Sequence, residues 1–384
     1  MPRIESKSKL GSSLAEVVPD FVGLSCTKSA WAGPTDDGTT QSIASRYYSC
    51  PERFRIMVID GLKPVETFRS PIEYGNMWHL CEEYHAKNES WEEPLIKHAK
   101  ILQEEYRFQQ EEVLKWYHAC RLQFPVYINW WKDNEEVVAR TPILQEEKFS
   151  YMHKLPSGRY ARLRGKFDSV DFIGTGKNAV VYLQENKTKA NIDESQLRKQ
   201  LTYDLQTMFY LIALRNDPTV SSRLKGKPVA GVRYNVVRRP LSGGKGSIKQ
   251  LNGSKNVAAE TLEQYHERLE KVFTSEPEYH FMRWKVEVSD VDIAAFTKQT
   301  LNPTLENMLD DYEWWDFCKT NDEDRYNTTL QQQQFPHHVR RHFRIPYGIY
   351  NPLAEGKPTE VDEYLRTGST VGLTRVTNFF PELT

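Results

Sequence analysis

The stretch ARLRGKFDSVDFIGTGKNAVVYLQENK, residues 161 to 187, constrains the fold more than any other. Two apolar runs of strand character flank the glycine-rich turn signal GTGKN at 174 to 178, the pattern of a β-hairpin. A loop centred between Gly176 and Lys177 sets Asp168 opposite Glu185 and brings both carboxylates to one face of the sheet. Residues two apart on a strand share a face, so Lys187 projects beside Glu185 while Asn186 points away. Two acids facing each other repel and raise one another's proton affinity, a cost that a divalent cation removes. The residues themselves allow a hard-ion site of the magnesium type or an ordinary ion-pair cluster. E-x-K spacing does not choose between them, because it recurs at Glu5/Lys7, Glu146/Lys148, Glu185/Lys187 and Glu355/Lys357.

The rest of the chain fits an α/β reading. SIASRYYSCPERFRI is expected to begin as a short helix, capped near Ser42 and broken at Pro51, and SPIEYGNMWHLCEEYHA to form a helix after Pro71. Trp91 to Phe124 is expected to hold one or two long helices. Leu197, Leu201, Leu205, Met208, Phe209 and Ile212 recur at helical spacing, predicting one amphipathic helix N-capped by Asp193. AGVRYNVVRR and FMRWKVEVS are expected as strands, and Ser289 with Asp292 as the capping box of a following helix. Residues 1–40 are expected as a loop-rich lead-in. A core is expected over 41–255 with a helical insertion at about 90–150, and an α/β C-terminal extension over 256–384 packed on it.

With 384 residues, 39% of them hydrophobic and 12% aromatic, the chain can bury a large core. It contains no apolar run of membrane-spanning length and no secretory apolar segment, so a soluble, cytoplasmic protein without a membrane partner is expected. The location would be host cytoplasm for a viral protein. Five cysteines without a C-x-x-C pair argue against a disulfide framework or a zinc ribbon. The Gly-Lys pairs at 176/177 and 244/245 lack the other residues of a P-loop. The formal charge of −1 hides an asymmetry, because Arg215 to Lys255 holds ten basic residues against one acid. Arg340, Arg341 and Arg344 form a second cluster near His337, His338 and His342. These patterns fit a polyanion-binding surface or, in the basic loop at 240 to 256, a solvated linker. The acidic, aromatic DDYEWWDF at 310 to 317 fits a protein-docking surface or plain helix packing.

Taken in order, these segments resemble the PD-(D/E)XK nuclease superfamily, in particular its RecB-like branch of phage-type exonucleases and CRISPR-associated adaptation nucleases. A Ser-rich helix runs into C-P-x-x-F (Ser42 to Phe54, with Cys50 and Pro51). G-x-x-x-H follows at Gly75 and His79, then Asp168 and E-x-K in the hairpin, then Q-x-x-x-Y at Gln206 and Tyr210. The resemblance implies a restriction-endonuclease-like core, a mixed central sheet flanked by helices with helical insertions and the C-terminal extension. It implies Mg2+ or Mn2+ held by His79, Asp168, Glu185 and the backbone carbonyl of Asn186. Lys187 would align or deprotonate the attacking water, and Gln206 and Tyr210 would hold the DNA strand. Arg233, Arg238, Arg239 and Lys245 are the expected further DNA contacts, Gly75 a close-approach point and Glu83 a supporting residue. Read from the residues alone, His79 is equally a hydrogen-bonded core histidine, Gln206 and Tyr210 a polar edge of the core, and Glu83 a solvated side chain. Residue 167 is Phe where the family has Pro, and Cys318 alone follows the hairpin, so no iron-sulfur cluster is expected. The implied activity is that of a metal-dependent deoxyribonuclease, an exonuclease before an endonuclease, in DNA processing or recombination with a protein partner. The alternative is a subunit with this fold that binds nucleic acid without cutting it. Oligomeric state and strand polarity are not encoded in these motifs.

Overall fold

The computed structural model describes residues 31–49, 54–64, 68–240 apart from scattered positions between 191 and 203, 261–321 and part of 373–383. Its centre is a five-stranded mixed sheet: β1 (Arg140–Lys154), β2 (Tyr160–Ile173), β3 (Val180–Lys189), β4 (Val229–Arg238) and β5 (Phe281–Glu287), side by side in that order. Neighbours run antiparallel except β3 and β4, which are parallel. A parallel step needs a crossover, and the chain makes it through the helix Leu205–Asn216. The hairpin has the expected register, with Ser169 opposite Gln184 and Val170 opposite Leu183.

Helices flank the sheet as expected. They are α1 (Gln41–Ser49), α2 (Ser70–Ala86), α3 (Glu92–Glu105), α4 (Gln110–Trp131), α5 (Leu205–Asn216), α6 (Leu262–Ser275), α7 (Asp290–Phe296) and α8 (Asn302–Asn321). One core packs Phe167, Val170 and Leu183 of the hairpin against Met208, Phe209 and Ile212 of α5 and Ile293 and Phe296 of α7. A second joins α2, α3, α4 and α6 through Tyr74, Trp78, Trp116, Phe124 and Tyr265, and reaches the sheet at Val237 and Phe281. Ser289 and Asp292 form the expected capping box ahead of α7.

Several expectations are corrected. Residues 31–40 are not a loose lead-in: Trp31 is buried edge-on to Phe54 and Tyr312, and Thr39 bridges to Leu163. The helical stretch after residue 90 stops short of 150, because Arg140–Lys154 is an edge strand whose charged side chains obscure its alternation. The sheet runs past residue 255, since β5 is its fifth strand. The helix expected from Asp193 to Asn216 is interrupted at Asp204, whose extended backbone and side chain cap α5 through the Thr207 N–H. DDYEWWDF lies in α8, with Trp315 buried against Phe54 and Asp311 accepting a hydrogen bond from Tyr47, while Phe317 stays exposed. Cys50, Lys245 and the basic and histidine cluster at 337–344 lie outside the described residues.

Arg233 and Arg238, expected on DNA, are interior residues. Arg233 is fully buried on β4, donates to Asp171 at 2.9 Å and to Gln184, and shares Asp171 with Arg140, 2.8 Å away. Arg238 donates to the carbonyls of Tyr279 and Ile192 and stacks on the Tyr279 ring at 4.0 Å. A guanidinium can sit in such a sheet only if its charge is paired. Replacing Arg233 with Met should therefore lower the free energy of unfolding by about 3 kcal/mol, the scale for breaking a buried pair. Urea unfolding followed by tryptophan fluorescence measures this, and an unchanged midpoint would contradict the assignment.

Candidate metal centre

The hairpin register does more than place two acids together. Gln145 faces Ser169 and Glu147 faces Phe167 across β1 and β2, so Glu146 stands opposite Asp168 on one side, while the β2–β3 register leads to Glu185 on the other. Three carboxylates thus form a row drawn from three adjacent strands, neighbouring strands lying about 4.8 Å apart. The backbone departs from regular pairing along this row. Glu146 adopts φ 50°, a left-handed conformation costly for a residue with a side chain, and the β2–β3 ladder ends at Ser169 and Gln184. One step further, the Asp168 carboxylate accepts the Asn186 N–H at 2.9 Å.

His79, on α2, brings Nδ1 to 3.6 Å from Asp168 Oδ2. Ligand atoms of His79, Glu146 and Asp168 all lie within 4.8 Å of one another, close enough for a single ion to gather them. Glu185 sits deeper. It is fully buried, with Oε2 on the Lys187 ammonium at 3.1 Å and Oε1 without a hydrogen-bond partner among the described residues. A buried carboxylate oxygen left unpaired is unfavourable unless something positive meets it. The residues therefore fit a hard divalent cation, which takes carboxylate oxygen and imidazole nitrogen.

Proton affinities reflect the crowding. Burial pushes the Glu185 carboxyl up to about 8, with Lys187 opposing and Asp168 adding to the rise. Burial and Asp168 raise Glu146 to about 7, against the pull of Lys166, whose ammonium lies 2.6 Å away. Burial lowers the proton affinity of Lys187, but Glu185, Asp204 and Asp168 outweigh it, and the ammonium is held above its ordinary value. Lys187 thereby keeps its proton and acts as a hydrogen-bond donor to its surroundings. Its Nζ also donates to Gln206 Oε1 at 2.6 Å, so the first turn of α5 fixes the lysine.

The other expected residues divide. Asn186 accepts at its side chain from Asn235 at 2.9 Å, and Asn235 in turn donates to Glu82 and Tyr127, which anchors β3 beneath the row. Gly75 packs α2 on β3, where an added Cβ would touch Thr188 Oγ1 at an ordinary 3.5 Å. Glu83 turns outward to Lys87, and its neighbour Glu82 is the buried acid. Tyr210 is a core residue, its ring edge-on to Phe149 and Phe167, rather than part of an open strand-binding surface. Arg239 is half-buried at the end of the β4 segment, its N–H on the Lys189 carbonyl. Glu146 is the residue that sequence reasoning missed. Carrying the register on to the strand before β2 would have found it.

The profile of the PD-(D/E)XK nuclease superfamily matches residues 39–285, from Thr39 on the sheet to the fifth strand. The chain belongs to the PD-(D/E)XK nuclease superfamily. No match was found among curated proteins. A PD-(D/E)XK nuclease generally uses divalent metal ions, consistent with the acids and imidazole gathered here, and no described helix is long and apolar enough to cross a membrane.

The raised carboxyls fix a sign. An acid bound more tightly to its proton when folded than when unfolded stabilises the fold below its unfolded value near 4.5 and loses that contribution as pH rises through 7 to 8. In EDTA the urea midpoint should therefore fall between pH 5.5 and 8.5, and millimolar Mn2+ should reverse the loss at pH 8.5, since the ion takes the proton's place. A midpoint insensitive to Mn2+ at pH 8.5 would contradict the metal centre.

Proposed function

We propose that this nuclease is a metal-dependent deoxyribonuclease that hydrolyses phosphodiester bonds in DNA, working from strand ends in DNA processing or recombination. The observation that carries the reading is the gathering of His79, Glu146 and Asp168, with Glu185 deeper beside Lys187 and Lys187 held by Gln206. Asp168, Glu185, Glu146 and His79 are the ligands that would hold Mg2+ or Mn2+. A divalent ion there would neutralise phosphate charge and make a bound water more acidic.

The protein's own groups have defined tasks. Asp168 is oriented by the Asn186 N–H, so its carboxylate cannot swing out of the row. Lys187 keeps its proton beside Glu185 and Asp204, which suits it to donate hydrogen bonds to the attacking water or to a phosphate oxygen as negative charge develops, and not to act as the base. Gln206 positions that ammonium. End-directed action is supported by the order of motifs from Ser42 to Tyr210, which is that of the phage-type exonucleases. The buried, unbridged thiols of Cys81 and Cys120 suit a cytoplasmic protein.

Asp168→Asn and Lys187→Ala should each lower Mn2+-dependent cleavage of end-labelled linear DNA by at least about a hundredfold, the order of one preorganised charged group, with the fold, checked by circular dichroism, retained. Glu146→Gln should weaken Mn2+ binding in titration calorimetry roughly tenfold or more, because a carboxylate ligand is lost. Closed circular DNA should survive. Cleavage of closed circles would replace the exonuclease with an endonuclease, and full activity in Lys187→Ala would remove the role given to that lysine. A wild type that binds DNA with Mn2+ but never cuts it would favour a non-catalytic binder.

A further inference from the structure

The face of the sheet turned toward α4 carries a second group of charges. Arg233 and Asn235 on β4 stand opposite Lys285 and Arg283 on β5, and residues two apart on a strand share a face, so three cations project from neighbouring positions. Like charges placed this way repel. The carboxylates that line this face are already engaged: Asp171 takes Arg140 at 2.8 Å and one nitrogen of Arg233 at 2.9 Å, Glu136 takes the Lys285 ammonium at 2.7 Å, and Glu82 accepts from Asn235 at 3.2 Å. Glu287, further along β5, is exposed. Arg283 has no carboxylate partner among the described residues; its Nη2 reaches Tyr127 Oη at 3.5 Å, and its guanidinium lies over the Trp131 ring, 4.4 Å from the centroid. Nε and Nη1 of Arg233, Nε and Nη1 of Arg283, and the Trp131 indole N–H are shut off from solvent with no hydrogen-bond partner among the described residues.

Buried donors left unpaired are costly, and neighbouring guanidinium groups add repulsion to that cost. Burial draws the Arg233 guanidinium down to about 10; Asp171 opposes the fall, and Arg283 and Arg140 add to it, so the three arginines lie within electrostatic reach of one another. A water molecule could accept one of these N–H groups but would leave the repulsion in place. A tetrahedral oxyanion relieves both, because it offers acceptors in several directions and its edge matches the guanidinium fork. We infer that Arg233, Arg283 and Trp131 form a binding site for one oxyanion of the phosphate class. Fully buried Arg233 is its floor, and half-buried Arg283 and Trp131 are its mouth, so the group that reaches the floor is small or terminal: inorganic phosphate, or the terminal phosphate of a nucleotide. The site is separate from the metal centre. Gln184 and Asn186 of β3 turn toward Arg233 and Asn235, whereas Glu185 and Lys187 turn the other way, toward Gln206 of α5.

Calorimetry on the full chain tests this without any cleavage. EDTA is present throughout, so that no metal ion recruits phosphate to the carboxylate row, and inorganic phosphate and deoxyadenosine 5′-monophosphate are titrated separately at pH 7 and constant ionic strength. One equivalent of phosphate should bind with a dissociation constant of about 1 mM or below. A monophosphate that binds more tightly than phosphate assigns the site to a nucleotide, and one that binds equally or less tightly assigns it to the free ion; each upholds the site. Arg283→Gln should weaken phosphate binding roughly tenfold or more, the scale of one lost charge-assisted hydrogen bond, and Trp131→Phe, which keeps a ring and removes the indole N–H, about threefold. Arg223→Gln, at an exposed arginine paired with Glu147 on β1, should bind phosphate as wild type does. Circular dichroism checks each fold, and Trp131→Phe decides the matter should Arg283→Gln fail to fold. No saturable phosphate binding, binding unchanged in both Arg283→Gln and Trp131→Phe, or an equal loss in Arg223→Gln would each overturn the site.

Discussion

Three carboxylates held in one row across adjacent strands repel one another, and much of the surrounding structure is arranged to keep them there. Glu185 is fully buried, Glu146 lies in a strained left-handed conformation, and Asp168 between them is fixed by a backbone N–H. Without a cation the crowding is relieved by protons and by two ammonium groups, Lys166 on Glu146 and Lys187 on Glu185. Such an arrangement is poor as a stability device, because hydrophobic replacements for buried charges are often at least as stable. Its retention makes sense as a binding site for positive charge.

The scaffold explains how the row is kept in register. A one-residue slip of β2 or β3 would send every side chain to the opposite face. Behind the row, Arg233 and Arg140 converge on Asp171, and Asn235 joins Asn186 to Glu82 and Tyr127, so charged and amide groups tie β1, β2, β3 and β4 to helices α2 and α4. These contacts are specific in direction, unlike the apolar packing on either face, and they hold the strands at one offset. On the other face, α5 carries Gln206 to Lys187 only because Asp204 starts the helix at that point.

Much of this was legible in the residues before any coordinates. GTGKN and the alternation around it give the hairpin and its register, and the mixed sheet is what the family resemblance carried by the ordered motifs implies. The physical reason is that turn chemistry and period-two alternation act locally. What escaped was non-local. Glu146 was one of four E-x-K acids, and its strand is masked by charges that point toward the centre and toward solvent. The arginines of β4 looked like a polyanion surface because composition cannot tell a paired interior guanidinium from an exposed one. Asp204 was hidden within a continuous helical period, where an N-cap is seen only once the preceding turn departs from it.

The measurement that bears most directly on the account is anomalous scattering at the manganese edge from crystals grown with Mn2+. The account places the strongest peak against the Asp168 carboxylate, within coordination distance of at least one of Glu146 and Glu185 and of the His79 imidazole. A strongest peak remote from Asp168, or an empty row in crystals of protein that cleaves DNA with Mn2+, would contradict it.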